Sequence, residues 1–491
     1  MTGFVYPVFS EGFRDIFDFE RDIIMNTDTI AAIATALSDS GIGIVRISGE
    51  NAIAVGDAVF RTKKGEKKLS SVKSHTIHYG FIVDEQENIV DEVMAAVMLS
   101  PHTYTREDTV EINCHGGVLV MQKILETVLK NGARMAQPGE FTKRAFLNGR
   151  IDLSKAEAVM DLIHAQNEYA LSSSINQLRG ELSQQVKKLR AEILYEIAFI
   201  ESALDDPEHI SLEGYPGRLL EKVNSLCEEI EKLISTADNG KRIKEGIFTV
   251  IVGKPNAGKS SLMNLLTGEE KAIVTEIAGT TRDVLEEYIS LHGIGFHVID
   301  TAGIRDTQDT VEKIGVEKAK KYASDADLIV YMVDVSVELD ESDREIISLI
   351  GEKNAVILLN KSDLKNIVTE EKLNALIAEV LPGHKRIPMI KTSTLEKTGI
   401  DLFENTVRDM FFQGDIQSNH QVVITNLRHK AALQEACESL YLVRKSILEG
   451  MPEDFYSIDL MSAYASLGTI IGEEVGEDLI EEIFSKFCMG K

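Results

Sequence analysis

The stretch Phe248–Leu262, FTVIVGKPNAGKSSL, constrains this chain more than any other. Its alternating apolar residues predict a buried strand, and its last residues predict the start of a helix. Between them Gly253–Ser260 fits the pattern G-x-x-x-x-G-K-[ST], in which backbone N–H groups surround a phosphate and the helix N-terminus adds its positive dipole end. Lys259 is expected to reach the β- and γ-phosphates, and the Ser260 hydroxyl to ligate Mg²⁺. The stretch therefore predicts a phosphate-binding loop in an α/β domain.

The composition narrows the class of protein around this loop. A length of 491 residues suits roughly three domains. The formal charge of -27 argues against wholesale electrostatic binding of nucleic acid, although it leaves room for a local basic patch or a basic partner. No apolar run approaches the roughly twenty residues that span a bilayer, so we expect no membrane contact. The four cysteines are scattered, at Cys114, Cys227, Cys437 and Cys488. They show no metal-like spacing, which favours reduced thiols and a cytoplasmic location.

Changes of pattern along the chain predict its domains. Strand-like runs with short helices come first, helical stripes of apolar residues follow, and alternating strands and helices surround the phosphate loop. The predicted domains are an N-terminal extension that is disordered or a mis-assigned start (1–24), an α+β domain (25–147), a helical domain in two segments (148–245 and 413–491) and an inserted α/β domain with a largely parallel sheet (246–412). Asn239-Gly240 predicts a break in the helices just before the inserted domain.

Two charged residues interrupt apolar strands of the first domain, Arg46 in GIVRISG and Glu111 in TVEIN. A charge in a buried strand needs a partner. A charge on an edge strand can face water instead. The sequence alone leaves both interpretations open.

Four further motifs follow the phosphate loop in the order that a guanine-nucleotide domain requires. They are Gly279–Asp283 (GTTRD), Asp300–Gly303 (DTAG), Asn360–Asp363 (NKSD) and Lys391–Thr394 (KTST). A Thr of the first, Thr281, can complete Mg²⁺ coordination, and the second can hold Mg²⁺ through water and meet the γ-phosphate. The carboxylate of Asp363 can accept two hydrogen bonds from guanine, which adenine cannot supply. Each tetrapeptide is weak evidence alone, but the ordered set predicts GTP.

The position after Gly303 departs from the Ras-like pattern. Ras-like GTPases place a Gln there to orient the attacking water, whereas this chain has Ile304. Water positioning must therefore come from elsewhere. The acids close by are Asp306, Asp309 and Glu312, and spacing does not choose among them.

The complete set of motifs resembles the MnmE (TrmE) family of tRNA-modification GTPases. The resemblance is carried by GIGIVRISG, PGEFTKRAFLNGRIDLSKAEAVMDLI, GKPNAGKSS, AIVTEIAGTTRD, DTAGIR and the final FCMGK, and it covers residues 27–491. It implies a homodimer with an N-terminal tetrahydrofolate-binding domain. It also implies a partner, the FAD-containing MnmG, in a heterotetramer to which tRNA docks largely through MnmG. The expected reaction adds a carboxymethylaminomethyl or aminomethyl group to C5 of the wobble uridine, with carbon from a methylene-tetrahydrofolate.

The resemblance also implies roles for individual residues. The folate, as a 5-formyl or 5,10-methylene form, is expected to contact Arg46, Glu111, Arg150 and Lys491. Potassium is expected at Asn256, Thr275, Ile277 and Thr280, and Mg²⁺ at Ser260 and Thr281. Glu312 matches the family's water-orienting acid, with Arg305 and Cys488 as further catalytic candidates. The GTP-binding set is Asn256, Ala257, Gly258, Lys259, Ser260, Ser261, Thr275, Glu276, Ile277, Ala278, Gly279, Thr280, Thr281, Asp300, Thr301, Ala302, Gly303, Asn360, Lys361, Ser362, Asp363, Ser393, Thr394 and Leu395.

A second hypothesis comes from a different class of function. Related GTPases such as Era and EngA act as switches in ribosome assembly and carry no modification chemistry. Such a protein has no reason to carry the GIGIVRISG region or the FCMGK tail, which favours the first hypothesis. A folate-dependent transferase with a vestigial nucleotide domain is disfavoured by the intact nucleotide motifs.

Overall fold

A computed structural model describes residues 28–63, 68–268, 286–291, 293–300, 322–412 and 422–490. Contacts between residues divide the chain into two units. One unit combines the chain up to Ile151 with Glu477–Lys491, and the other is Asp152–Gly476. Each unit is described by itself below.

The first unit is built on a seven-stranded sheet with the order β3-β4-β5-β6-β2-β1-β7. Its strands are β1 (Ile30–Ile33), β2 (Ser40–Ser48), β3 (Phe60–Arg61), β4 (Thr76–Val83), β5 (Ile89–Met98), β6 (Thr109–Gly116) and β7 (Arg134–Met135). Its helices are α1 (Ala52–Val59), α2 (Val118–Lys130), α3 (Glu140–Leu147) and, from the C-terminal segment, α15 (Glu477–Ser485). Helix α2 buries Met121, Ile124, Leu125 and Val128, a spacing that places them on one face against the sheet. The expected α+β architecture is therefore present.

Within the described residues, β2 lies between β6 and β1, and β6 lies between β5 and β2. Arg46 and Glu111 are therefore on interior strands, and they are direct cross-strand partners in the register. The edge-strand interpretation of these two charges is wrong. The partnered interpretation holds, because each charge stands opposite the other on neighbouring strands.

The C-terminal segment differs from the sequence-based grouping. The sequence places residues 413–491 in the helical domain, whereas α15 packs against α3 of the first unit. Phe484 and Phe487 of this segment form a tilted ring pair at 5.1 Å, and Phe146 of α3 lies 6.2 Å from Phe484. The aromatic residues of the segment thus bury themselves beside the N-terminal sheet, which helical periodicity alone does not reveal.

The second unit begins with a helical part. Its helices are α4 (Leu153–His164), α5 (Glu168–Arg179), α6 (Glu181–Asp205), α7 (Tyr215–Ser235), α8 (Ala237–Glu245), α13 (Leu427–Leu448) and α14 (Glu453–Ile471). Helix α13 packs against α7 and α14, and α14 packs against α6. Their stripes of Leu, Ile, Val and Ala form one core, so the helices before and after the inserted part share it.

The predicted break at Asn239-Gly240 is wrong, since α8 runs through both residues. Gly240 has a packing role instead. A Cβ at this position would overlap the backbone carbonyl of Ile424, so only glycine lets the two segments approach this closely. The low helix propensity of glycine is therefore outweighed here by the close backbone contact that glycine allows.

The inserted part contains a six-stranded sheet with the order β13-β12-β11-β8-β10-β9. The strands are β8 (Ile247–Val252), β9 (Glu286–Leu291), β10 (Ile294–Asp300), β11 (Leu328–Asp334), β12 (Asn354–Asn360) and β13 (Met389–Lys391). The helices are α9 (Lys259–Gly268), α10 (Glu341–Ile350), α11 (Glu370–Val380) and α12 (Ile400–Phe412). All described pairings are parallel except that of β9 with β10. The predicted parallel-rich α/β architecture is confirmed. Among the described helices, none is long and apolar enough to span a bilayer.

Candidate functional site

The phosphate loop connects β8 at the centre of the parallel sheet to the first turn of α9. Lys259 is buried, and its Nζ donates to the carbonyls of Gly253 and Lys254, both at 2.8 Å. These bonds curl the loop around the lysine, while Ser260 is exposed at the start of the helix. The N-terminus of α9 and the loop N–H groups together form a ready anion site.

A single asparagine joins three of the predicted nucleotide loops. Asn360 is fully buried at the end of β12, and its Nδ2 donates to the carbonyl of Ala257 at 2.8 Å. Its Oδ1 accepts from the N–H of Thr394 at 3.2 Å. A Cβ at Gly258 would overlap the Asn360 Nδ2, so the second glycine of the phosphate loop leaves room for this bond. Asn360 therefore fixes the phosphate loop relative to the NKSD and KTST loops.

The NKSD and KTST loops also meet through side chains. Asp363 is exposed, and its Oδ1 accepts from the Ser393 hydroxyl at 2.6 Å. The N–H of Ser362 donates to the Thr392 carbonyl at 3.1 Å. These contacts hold an exposed carboxylate where the two loops meet.

Lys361 has a structural role in the same loop. Its Nζ pairs with Asp334 Oδ2 at 2.6 Å, and its φ is +60°. Burial opposes the negative charge of Asp334, but Lys361 and Ser336 lower the pKa of that carboxyl. The pair holds the end of β11 against the start of the NKSD loop.

Sequence reasoning missed a second brace of the phosphate loop, at Lys254. Its Nζ pairs with Asp343 at 2.8 Å and with Asp340 at 3.1 Å at the start of α10. Asp343 is buried and accepts from the Tyr331 hydroxyl at 2.6 Å. Burial opposes the charge of Lys254, but the two aspartates raise the pKa of its ammonium. The residue occupies a variable position of the loop pattern, so the pattern itself gave no signal for this contact.

Several predicted residues lie outside the described part of the chain. They are Thr275, Glu276, Ile277, Ala278, Gly279, Thr280, Thr281, Thr301, Ala302, Gly303, Arg305, Glu312 and Lys491, together with the side chain of Asp300. The remaining nucleotide residues are described. Asn256 is exposed with φ +60°, Ala257 is buried, Ser261 is exposed, and Leu395 is 83% exposed.

A separate candidate site lies in the first unit, around Arg46. Its Nε donates to Glu111 Oε1 at 2.7 Å, and its Nη1 donates to the carbonyl of Gly490 at 3.1 Å. The guanidinium also lies 5.6 Å from the ring centroid of Phe141. Both charged side chains are about one-fifth exposed, so the pair opens to solvent on one side. The chain's last described residue, Gly490, thus closes one side of the group.

Arg150, the other described folate candidate, and Cys488 lie in the same unit. Arg150 donates from Nη1 to the Tyr104 carbonyl at 3.0 Å, and its guanidinium lies 4.9 Å from the Tyr104 ring. Cys488 has an exposed free thiol, and its backbone carbonyl accepts a hydrogen bond from the Gly139 N–H at 3.3 Å. The structure therefore places Arg46, Glu111, Arg150 and the tail in the first unit, and the nucleotide loops in the second.

The parallel sheet, its phosphate loop and the Asp363 loop define a P-loop protein that binds a guanine nucleotide. Two family models match the chain: "GTP-binding protein TrmE N-terminus" over residues 29–150 and "MnmE helical domain" over residues 153–488.

Curated relatives named tRNA modification GTPase MnmE match at high identity. The protein of Lachnoclostridium phytofermentans is 57% identical over 95% of this chain and 100% of its own. Those of Acetivibrio thermocellus and Bacillus pumilus are each 47% identical over 94% of this chain, covering 99% and 100% of their own lengths. A solved structure of an Aquifex aeolicus Era variant matches at 27% identity over 40% of this chain and 67% of its own, with a TM-score of 0.27. The chain belongs to the MnmE family of GTPases, and it is an enzyme that hydrolyses GTP.

Proposed function

We propose that this protein is a potassium-dependent GTPase that modifies the wobble uridine of certain tRNAs together with MnmG. The product carries a carboxymethylaminomethyl or aminomethyl group on C5, and a methylene-tetrahydrofolate supplies the carbon. The observation that carries the proposal is the presence, in one chain, of the linked phosphate, NKSD and KTST loops and of the Arg46–Glu111 group closed by the C-terminal segment. A nucleotide switch alone does not need the second site.

The nucleotide side of the proposal rests on the phosphate loop. Ser260 and Thr281 would hold Mg²⁺, which supplies charge neutralisation at the phosphates. Asn256 would hold potassium with Thr275, Ile277 and Thr280. In support, Asn256 is exposed on the loop in a left-handed conformation that Asn tolerates better than most residues. Glu312 would orient the attacking water, and Arg305 would assist catalysis. They are needed because Ile304 stands where Ras-like GTPases have a water-orienting Gln.

The folate side rests on the chemistry of the donor set. Arg46 offers N–H donors and Glu111 offers carboxylate acceptors on adjacent interior strands, with Phe141 beneath them. A pterin presents both donors and acceptors on a flat ring, so these residues fit one. Arg150 and Lys491 would add positive charge for the acidic part of a folate, and Cys488 would lie in the adjoining tail. The form bound would be the 5-formyl or 5,10-methylene derivative.

The partners follow from the family and the charge of the chain. We infer a cytoplasmic homodimer that binds MnmG in a heterotetramer, with FAD held by MnmG alone. Because the formal charge is -27, the tRNA backbone would be held largely by basic surface on MnmG.

Analysis of modified nucleosides tests the proposal. Mass spectrometry of bulk tRNA from a deletion strain is expected to show loss of the wobble modification. Wild-type protein should restore it, whereas Lys259→Ala should not, because the loop loses its phosphate-binding ammonium. Lys365→Ala is the matched control, since this lysine is exposed on the loop after NKSD. Unchanged wobble uridine in the deletion strain would instead favour an Era-like or EngA-like switch and overturn the proposal.

A further inference from the structure

The loop between β5 and β6 borders a cavity of about 430 Å³ in the first unit. His102, Thr103, Tyr104 and Arg106 of the loop line it, together with Arg150. Its volume is in the range of small-molecule sites, about 300–1,000 Å³.

Internal hydrogen bonds hold this loop in one conformation. The Ser100 hydroxyl donates to the Arg106 carbonyl at 2.8 Å, and the Thr103 hydroxyl donates to the Glu107 carbonyl at 2.7 Å. Arg106 itself has a φ of +60°, a left-handed conformation that is uncommon for a long side chain. Such conformations persist only where the surroundings fix them, and they concentrate at functional sites. The loop is therefore built to present Arg106 at the cavity.

Arg106 and Arg150 are positive charges that have no acidic partner in the part of the chain that the structure describes. Arg106 Nη1 donates to the Asn148 carbonyl at 2.8 Å, and Arg150 Nη1 donates to the Tyr104 carbonyl at 3.0 Å. Within the described ranges neither guanidinium forms an ion pair with a carboxylate, although the chain has 79 acidic residues. A guanidinium has five N–H donors in a planar fork that suits carboxylates. The cavity is therefore suited to an anionic ligand.

A continuous row of side chains leads from Arg46 to the cavity. Arg46 lies over Phe141, and Phe141 belongs to the same small buried cluster that Tyr104 packs against. Tyr104 in turn carries Arg150 on its ring face. The row thus has a donor–acceptor pair at one end, the partly exposed Tyr104 ring supported by the buried Phe141 in the middle, and positive charges at the other end. A folate has the same order of groups, since its pterin, benzoyl and glutamate parts follow one another.

We propose that this cavity, called the glutamate cavity and defined by His102, Arg106 and Arg150, binds the γ-linked glutamate chain of a polyglutamylated folate. The proposal rests on the proposed folate function and names its substrate form. Each added glutamate brings one more carboxylate, and two guanidiniums that line one cavity favour more than one carboxylate. The polyglutamate form is therefore the preferred ligand over the monoglutamate.

Equilibrium binding of two probes tests the proposal. Dissociation constants of 5-formyltetrahydrofolate monoglutamate and triglutamate are measured by calorimetry with the full-length protein. Wild type should bind the triglutamate about fivefold more tightly, as expected for one or two exposed charge pairs, and added salt should reduce the difference. Arg106→Gln should reduce the preference to below about twofold, because it weakens binding of the triglutamate more than that of the monoglutamate, and Arg106→Lys should keep part of the preference. Arg61→Gln is the control, because this partly exposed arginine pairs with Glu87 and lies outside the cavity.

The outcomes separate this proposal from the folate function itself. If neither probe binds wild type, the folate function fails. If both bind wild type equally, or if Arg106→Gln keeps the full preference, folate binds without the glutamate cavity and the present inference is overturned. An equal loss of affinity for both probes in Arg106→Gln, with Arg61→Gln unaffected, would assign Arg106 to the body of the folate and would also overturn it.

Discussion

The nucleotide loops and the Arg46 group are assembled in opposite ways. In the nucleotide site, each described loop follows a strand of one largely parallel sheet. Backbone groups form most of the site, and the side chain of Asn360 links the loops. In the N-terminal site, two charged side chains face each other across neighbouring strands, and a carbonyl near the end of the chain completes the group. The residues of the nucleotide site stand in short contiguous motifs. Those of the N-terminal site are single residues that lie far apart in the sequence.

This difference teaches where each site is vulnerable. The nucleotide site should tolerate many side-chain changes and fail at its buried polar side chains, Asn360 and Lys259. The side-chain-built site should fail whenever either charge or the tail is removed, because a half-buried charge then loses its partner. Three changes test this contrast, from the largest expected effect to the smallest.

Asn360→Ala should have the largest effect. It leaves the Ala257 carbonyl and the Thr394 N–H without their partner, and each unsatisfied buried group costs about 1–3 kcal/mol. We expect GTP affinity, measured with a fluorescent analogue, to fall about 30- to 100-fold. Asn366→Ala, at an exposed position six residues later, is the control. An affinity within twofold of wild type for Asn360→Ala would refute the linking role of Asn360.

Arg46→Met should act on the other site alone. The substitution keeps an apolar side chain over Phe141 but removes both the Glu111 pair and the bond to the Gly490 carbonyl. We expect the tail to detach, so that carboxypeptidase removes the C-terminal residues about tenfold faster by mass spectrometry, since such bonds to charged groups contribute about 1.5–3 kcal/mol. GTP affinity should stay at the wild-type value. Arg61→Met serves as the control, and equal digestion of both variants would contradict the tail contact.

Acid should have a small and graded effect on the first unit. Burial alone would raise the pKa of Glu140, but hydrogen bonds from Arg134, the Gln137 N–H and Arg144 outweigh it and lower the pKa below 4.5. This interaction stabilises the fold above the unfolded pKa and is lost as pH falls through the lowered value. We expect the melting temperature to drop by a few degrees below about pH 4.5. Glu140→Gln should weaken that dependence and Glu126→Gln, at an exposed position, should not.

The sequence predicted where the described nucleotide loops lie because their signals are contiguous. Lys259, Ser260 and Asp363 each stand inside a short pattern whose chemistry can be stated without knowing the fold. The linking contacts were not predictable in this way. Asn360 reaches Ala257 across 103 positions, and Lys254 reaches Asp343 across 89, so only the closed sheet brings them together.

The N-terminal site was predicted less completely, for the same physical reason. The apolar runs around Arg46 and Glu111 left open whether the strands were central or at an edge, and only the strand order decided this. Arg106 carried no signal at all, since a left-handed arginine in a loop looks like any polar residue. The roles of Thr275, Thr281, Glu312 and Lys491 stay predictions.

Gly240 has a consequence for how the chain came to be organised. The segment that leads into the nucleotide-binding part touches the segment that leads out of it, and the Ile424 N–H also donates to the Thr236 hydroxyl at 3.0 Å. Whatever lies between them is a closed loop whose two ends meet at one place on the helical core. The entropy of closing such a loop rises only with the logarithm of its length. A whole domain can therefore occupy a place that a short turn could fill, and it can be lengthened or exchanged without rebuilding the scaffold that carries it.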